Sequence, residues 1–242
     1  MTVNFILTKG QLIKPYKRAI KSAQRHQSPI ILWYGGEKPD MKGVDAEARR
    51  VNVPTWLEDK PGCVIWDYLA YYLAYKRGGL FLGLDSHTIA SAMDLLGDKE
   101  VVVSRDVPDD NHTCIHPFNN QFICLPDSAV MFEIRAAAKQ RIRSGFLDHG
   151  STGPALLTWF VDKYSDKMAG APFPALCGFE GSFIWKFYLG VEPPPEGTRV
   201  LHLFASAYKE LFYNGDIDTW IRQHPYLSDF ATASNVDPAI YR

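Results

Sequence analysis

Short continuous apolar runs punctuate the chain, separated by longer stretches in which apolar residues return every three or four positions. The runs "VNFILT" (3–8), "PIILWY" (29–34), "LFLGL" (80–84), "EVVVS" (100–104), "QFICL" (121–125) and "RVLHLFAS" (199–206) read as strands. Few of their positions are polar, so they predict a sheet covered on both faces. Helices are predicted over 11–27, 63–76, 127–145 and 152–164, with a last short one at "YKELFY". In the second helix, Ile65, Leu69, Tyr72 and Leu73 share one face, while Asp67, Ala70, Tyr71 and Ala74 share another. The pair Gly78-Gly79 stops it, Asp127 or Ser128 is placed to cap the third, and a Gly-Pro step opens the fourth.

The order strand, helix, strand over residues 3–34 predicts parallel pairing and therefore an α/β fold. The polar stretch "GEKPDMKGVDAEARRVNVP" (36–54) reads as a loop with at most one short helix, and "GVEPPPEGT" (190–198) as a stiff, turn-rich connection. No repeat or low-complexity tract interrupts the pattern, so one domain is expected over residues 1–242.

With 46% hydrophobic and 13% aromatic residues, the chain can bury a core without a metal or a disulfide. A formal charge of −1 excludes a uniformly basic nucleic-acid or membrane binder. Local basic faces remain: Lys14, Lys17, Lys21 and Arg25 on the first helix, and Arg135, Lys139, Arg141 and Arg143 on the third. Such faces are usually just solvated, but they can also meet phosphate in a salt-dependent way. Cys63, Cys114, Cys124 and Cys177 form no C-x-x-C pair, which fits a reducing, cytoplasmic setting. No run approaches the roughly 20 apolar residues of a membrane span, and the N-terminus does not read as an export signal.

Two places carry candidate chemistry. Asp85 stands just past the apolar run 80–84, where open α/β sheets bind ligands beyond the carboxyl ends of their strands. The run "DDNHTCIHP" brings together Asp109, Asp110, His112, Cys114 and His116, but offers only the His-x-x-x-His half of a zinc pattern and reads as a polar loop.

The stretch "DYLAYYLAYKRGGLFLGLDSH" (67–87) resembles the DXD-containing sugar-binding glycosyltransferases, the group that includes fungal Golgi mannosyltransferases, capsular polysaccharide transferases and α-1,4-galactosyltransferases. Asp67 takes the place of the acidic residue that opens their helix, Gly78-Gly79 match their glycine pair, and Asp85 takes the last acidic place of D-x-D. Weaker similarities follow in order: "NFILTKG", "NNQFICLPDSAVM", "STGPALLT" and "LHLFASAY". Two departures touch donor binding. Gly83 stands where the first Asp of D-x-D belongs, and Ala70 where an Arg is common.

The resemblance implies a GT-A-like, Rossmann-like mixed but mainly parallel sheet flanked by helices. It also implies transfer of a sugar from a UDP- or GDP-sugar to a carbohydrate, glycolipid or other hydroxyl acceptor, with retention at the anomeric carbon. Mn²⁺ or Mg²⁺ would be held by Asp85, with His202 as second ligand and His87 as an alternative. Imidazole suits Mn²⁺ better than Mg²⁺. Asp67 would meet ribose or sugar hydroxyls, Thr8 and Lys9 would lie by the nucleoside and phosphate, and Gly79 and Gly83 would line the donor. Two alternatives stay open: a catalytically weak or inactive relative that binds a sugar, nucleotide or protein, and a transferase acting on modified viral DNA bases.

Overall fold

The computed structural model describes residues 1–26, 29–107, 118–147, 150–178 and 193–203, with 118–120 as backbone alone. Its elements are β1 (Val3–Leu7), α1 (Lys14–His26), β2 (Ile30–Tyr34), β3 (Glu47–Arg50), α2 (Gly62–Arg77), β4 (Gly79–Leu82), β5 (Ser86–Thr88), β6 (Val101–Arg105), β7 (Phe118–Cys124), α3 (Ala129–Arg143), α4 (Pro154–Lys163), β8 (Met168–Gly170) and β9 (Val200–His202). The seven-stranded sheet runs β3-β2-β1-β4-β7-β6-β8, and β5 and β9 form a separate two-stranded ribbon. Strands β3, β2, β1 and β4 are parallel, as the β-α-β order requires, while β7 runs antiparallel between β4 and β6. The sheet is therefore mixed and mainly parallel.

Side-chain alternation splits the core in two. Ile6, Trp33, Phe81 and Phe122 face α2, α3 and α4. Phe5, Leu7, Leu32 and Leu82 face the layer that includes α1. Phe81 and Phe122 stack across β4 and β7 with centroids 5.1 Å apart, and each such buried ring contributes on the order of 2 kcal/mol by removal from water.

Helix α2 is buried on both of the faces the sequence distinguishes, with Tyr72 the outward exception. Its C-terminus shows why two glycines follow. Gly78 adopts φ +62 and donates its N–H to the Ala74 carbonyl at 2.8 Å. Gly79 adopts φ +107, and a Cβ there would stand 2.4 Å from the Thr2 carbonyl oxygen. This corrects the assignment of Gly79 to the donor: it opens β4, at the end of the strand opposite Asp85, and serves close backbone packing.

Three strands escape sequence reading. β3, "EARR", is a polar edge strand with no apolar alternation, and it gains its conformation from pairing with β2. β5 and β8 are three residues each, too short to show a period. At α3, Ser128 and not Asp127 is the cap. Its hydroxyl accepts from the Met131 N–H at 3.2 Å and donates to Glu100 at 2.8 Å. "YKELFY", the residues after 203 in the last run, and "DDNHTCIHP" lie outside the described residues.

Candidate functional site

β4 carries Leu80, Phe81 and Leu82 into the sheet interior and stops there. A tight turn follows, closed by the Ser86 N–H on the Gly83 carbonyl at 3.2 Å, and places Asp85 just beyond the strand's carboxyl end. β5 then pairs antiparallel with β9 in the register Ser86↔His202. The Leu203 N–H continues this pairing onto the Asp85 carbonyl at 2.8 Å. The ribbon thereby sets His202 against Asp85, with Nε2 3.3 Å from Oδ2 and side chains 12% and 23% exposed. These two residues, picked out from distant parts of the sequence, are neighbours in space.

Two further groups converge here that sequence reading missed. One ligand atom each of Asp106, Cys177 and His202 lie within 4.8 Å of one another. Asp106 follows β6, which runs in the same direction as β4 because both are antiparallel to β7. Both carboxylates therefore stand past carboxyl ends of strands on the same side of the sheet. The signal was present: "VVVSRD" is an apolar run ending in an aspartate, as "LFLGLD" is. Cys177 carries no such signal; its carbonyl accepts the His202 N–H at 2.9 Å, which brings it into the cluster.

Charge decides the state of His202. Burial lowers the proton affinity of its ring, but the Asp85 carboxylate, by charge and hydrogen bond, and Asp106 more than offset this and raise its pKa above the usual value. His87 has the opposite surroundings. It projects from the other face of β5 and is buried; desolvation, with Arg18, Arg25 and His26 adding, lowers its pKa to about 3. His87 is therefore a neutral ring under α1 and does not join Asp85 as a cation ligand.

The departures from D-x-D have visible geometry. A Cβ built on Gly83 would stand 2.5 Å from Asp85 Oδ1, so the Asp85 carboxylate folds over the space where the absent side chain would begin. Ala70 is fully buried in the core, which leaves no room for an arginine.

The remaining candidates divide. Thr8 ends up at the carboxyl end of β1, its hydroxyl 3.9 Å from where a Cβ on Gly62, the first residue of α2, would lie. Lys9, exposed just beyond β1, donates from Nζ to the Glu58 carbonyl at 2.9 Å. Asp67 is 3% exposed and accepts a 2.6 Å hydrogen bond from Thr152 just before α4. Its expected place among ligand hydroxyls is thus taken, at that oxygen, by an internal tie between α2 and α4. Two concavities lined by described residues have volumes of about 510 and 280 Å³, and Asp85 lines neither of these two. The larger lies along the outer side of α2, lined by Trp33, Arg50 and Tyr72 among others, with no carboxylate.

No protein-family model matches the sequence, and no curated protein does. Among solved structures the chain is similar to the PaToxG glycosyltransferase, with TM-score 0.50 and 13% identity over 100% of this chain and 85% of that one. It is also similar to the apo form of the glycosyltransferase GlyE of Streptococcus pneumoniae TIGR4, with TM-score 0.55 and 12% identity over 99% of this chain, which spans 61% of GlyE. The chain has the α/β fold of the GT-A glycosyltransferases, a mixed and mostly parallel sheet flanked by helices.

Proposed function

We propose that this protein is a glycosyltransferase that moves a sugar from a nucleotide-sugar donor to a hydroxyl acceptor with the help of a divalent cation. The observation that carries this reading is the placement of Asp85 and His202 together beyond the carboxyl end of β4 in a GT-A-like sheet. The donor set fits a cation. Two ligands at adjacent corners of an octahedron with bonds of roughly 2.1 Å lie about 3 Å apart, close to the 3.3 Å between Asp85 Oδ2 and His202 Nε2. A carboxylate with an imidazole favours Mn²⁺ over Mg²⁺.

When bound, the cation supplies Lewis-acid stabilisation of the negative charge that collects on the diphosphate as the anomeric bond breaks. This chain's residues do the rest. Asp85 gives the hard oxygen ligand, and His202 in its neutral form gives a nitrogen, so its proton must leave before it can bind. Asp106 and Asp85 set how tightly that proton is held.

Donor base, sugar, acceptor and retention extend the resemblance to the sugar-binding transferases. UDP- or GDP-sugars and carbohydrate or glycolipid acceptors are the classes to try first. A reducing, cytoplasmic setting belongs to the same reading, which rests on four cysteines without a C-x-x-C pair. Gly83 favours a second reading, in which the protein binds a sugar nucleotide without transferring it, because one carboxylate is missing from the motif.

The deciding experiment is release of free nucleotide from a panel of nucleotide sugars, with Mn²⁺, with Mg²⁺ and with chelator. Cation-dependent release that is lost in Asp85→Ala supports transfer. Release indifferent to chelator and to that substitution would overturn the cation reading, and calorimetric donor binding with no release would leave the binding-only one.

A further inference from the structure

On α3, Phe132, Arg135, Lys139 and Arg143 form one stripe that flanks the core face of Val130, Met131, Ile134, Ala138 and Ile142. The stripe leans on aromatic residues. The Arg135 guanidinium lies 5.9 Å from the Tyr72 ring and 5.1 Å from those of Tyr75 and Phe132. Lys139 and Arg143 lie 5.8 and 5.5 Å from Trp56. Trp56 packs edge-on against Tyr68 at 5.0 Å.

Tyr68 and Tyr72 are also walls of the 510 Å³ groove beside α2, whose cations are Arg50, Lys76 and Arg77. Groove and stripe are thus one continuous surface with six cations. Among the described residues none of the six is ion-paired with a carboxylate. In a chain of net charge −1 this is a strong local concentration.

We infer that this α2–α3 surface docks on the anionic phospholipid headgroups of a membrane. Charge complementarity selects a phosphate-bearing partner, and the exposed apolar side chains choose among such partners. Phe132 and Tyr72 are 46% and 37% exposed. A duplex backbone offers such side chains little, whereas the headgroup layer is where aromatic and amphipathic side chains settle. Guanidinium groups stacked on rings are weakly hydrated and tolerate that layer. The groove has the volume of a small-ligand pocket, and Arg50, Lys76 and Arg77 in its lining suit the phosphate of a single headgroup. No described helix is long and apolar enough to cross a bilayer.

The test is co-sedimentation of the full chain with phosphatidylcholine vesicles, with and without phosphatidylserine, at low and physiological salt. Binding is expected on the anionic vesicles alone and weakens with salt. Each cation at such a surface raises partition about five-fold, so Arg135→Gln/Lys139→Gln/Arg143→Gln lowers it about 100-fold and Lys76→Gln/Arg77→Gln about 25-fold. Phe132→Ser lowers binding several-fold without changing its salt dependence. Circular dichroism melts show that each variant is folded, and the exposed Lys76/Arg77 pair serves if the α3 variant is not.

Equal binding to neutral and anionic vesicles, no binding to either, or anionic binding unchanged in the folded variants would overturn the inference. So would salt-sensitive retention of duplex DNA through the same residues without vesicle binding, which would assign the surface to nucleic acid. Vesicle binding needs neither donor nor cation, so its failure and a failure of transfer are separate results.

Discussion

The β5–β9 ribbon has two faces, and each holds a histidine. His202 faces Asp85 and Asp106 and is held toward its charged form. His87, on the neighbouring strand and one register position away, faces α1 and its arginines and is held neutral to about pH 3. His87 is buried and the His202 side chain is only 12% exposed, so burial hardly distinguishes them. The sign of the nearby charge does: among the described residues, the carboxylates of Asp85 and Asp106 act on His202, and arginines act on His87. One residue type thus becomes a candidate ligand on one face and a packed core ring on the other.

Removing the carboxylate breaks this contrast most severely. Asp85→Ala is expected to lower nucleotide release on the order of 100-fold, the scale seen when one well-placed charge-stabilising group is lost, whereas His87→Phe leaves release nearly unchanged. His202→Gln comes next. It should weaken cation affinity at least about 10-fold, read by titrating Mn²⁺ against release. Gly83→Ala has a smaller effect: its Cβ forces the Asp85 carboxylate to swing from its present place, and a several-fold rise in the cation needed is expected with an unchanged melting temperature.

The pH responses of the two faces have opposite signs. His87 has a folded pKa far below its unfolded value of 6.5, so the unfolded chain binds the extra proton. Stability from this face is present above about 6.5 and is lost as pH falls toward about 3. His202 has a raised folded pKa, so its contribution is full below 6.5 and is lost as pH rises through that raised value. Thermal melts across this range should show His87→Phe flattening the acid side by a few degrees, since about 1 kcal/mol shifts a chain of this size by roughly 2–4 °C. Ring-proton titration of His202 should move to lower pH in Asp85→Asn. An unmoved titration would show that Asp85 does not set its charge.

Much of this was legible in the residues. Continuous apolar runs at 3–8, 29–34 and 80–84 mark strands covered on both faces, and the strand-helix-strand order over 3–34 makes the first two parallel. Asp85 is legible because a lone carboxylate after such a run sits at a strand end. Gly79 was misassigned because a motif match cannot tell a glycine that approaches a ligand from one that approaches Thr2. The tie from Asp67 to α4 was not legible, because its partner, Thr152, is remote in sequence and only the packing of α4 on α2 brings it there.

By itself the sequence determined which segments are buried, in what order they alternate, and where an acidic group leaves the sheet, since period and polarity are local properties of the chain. Tertiary structure alone decided that His202 and not His87 meets that acid, and that Asp106 and Cys177 join them. A strand of three residues has no readable period, and which face it turns inward is set by its pairing with β9, from the far end of the described chain.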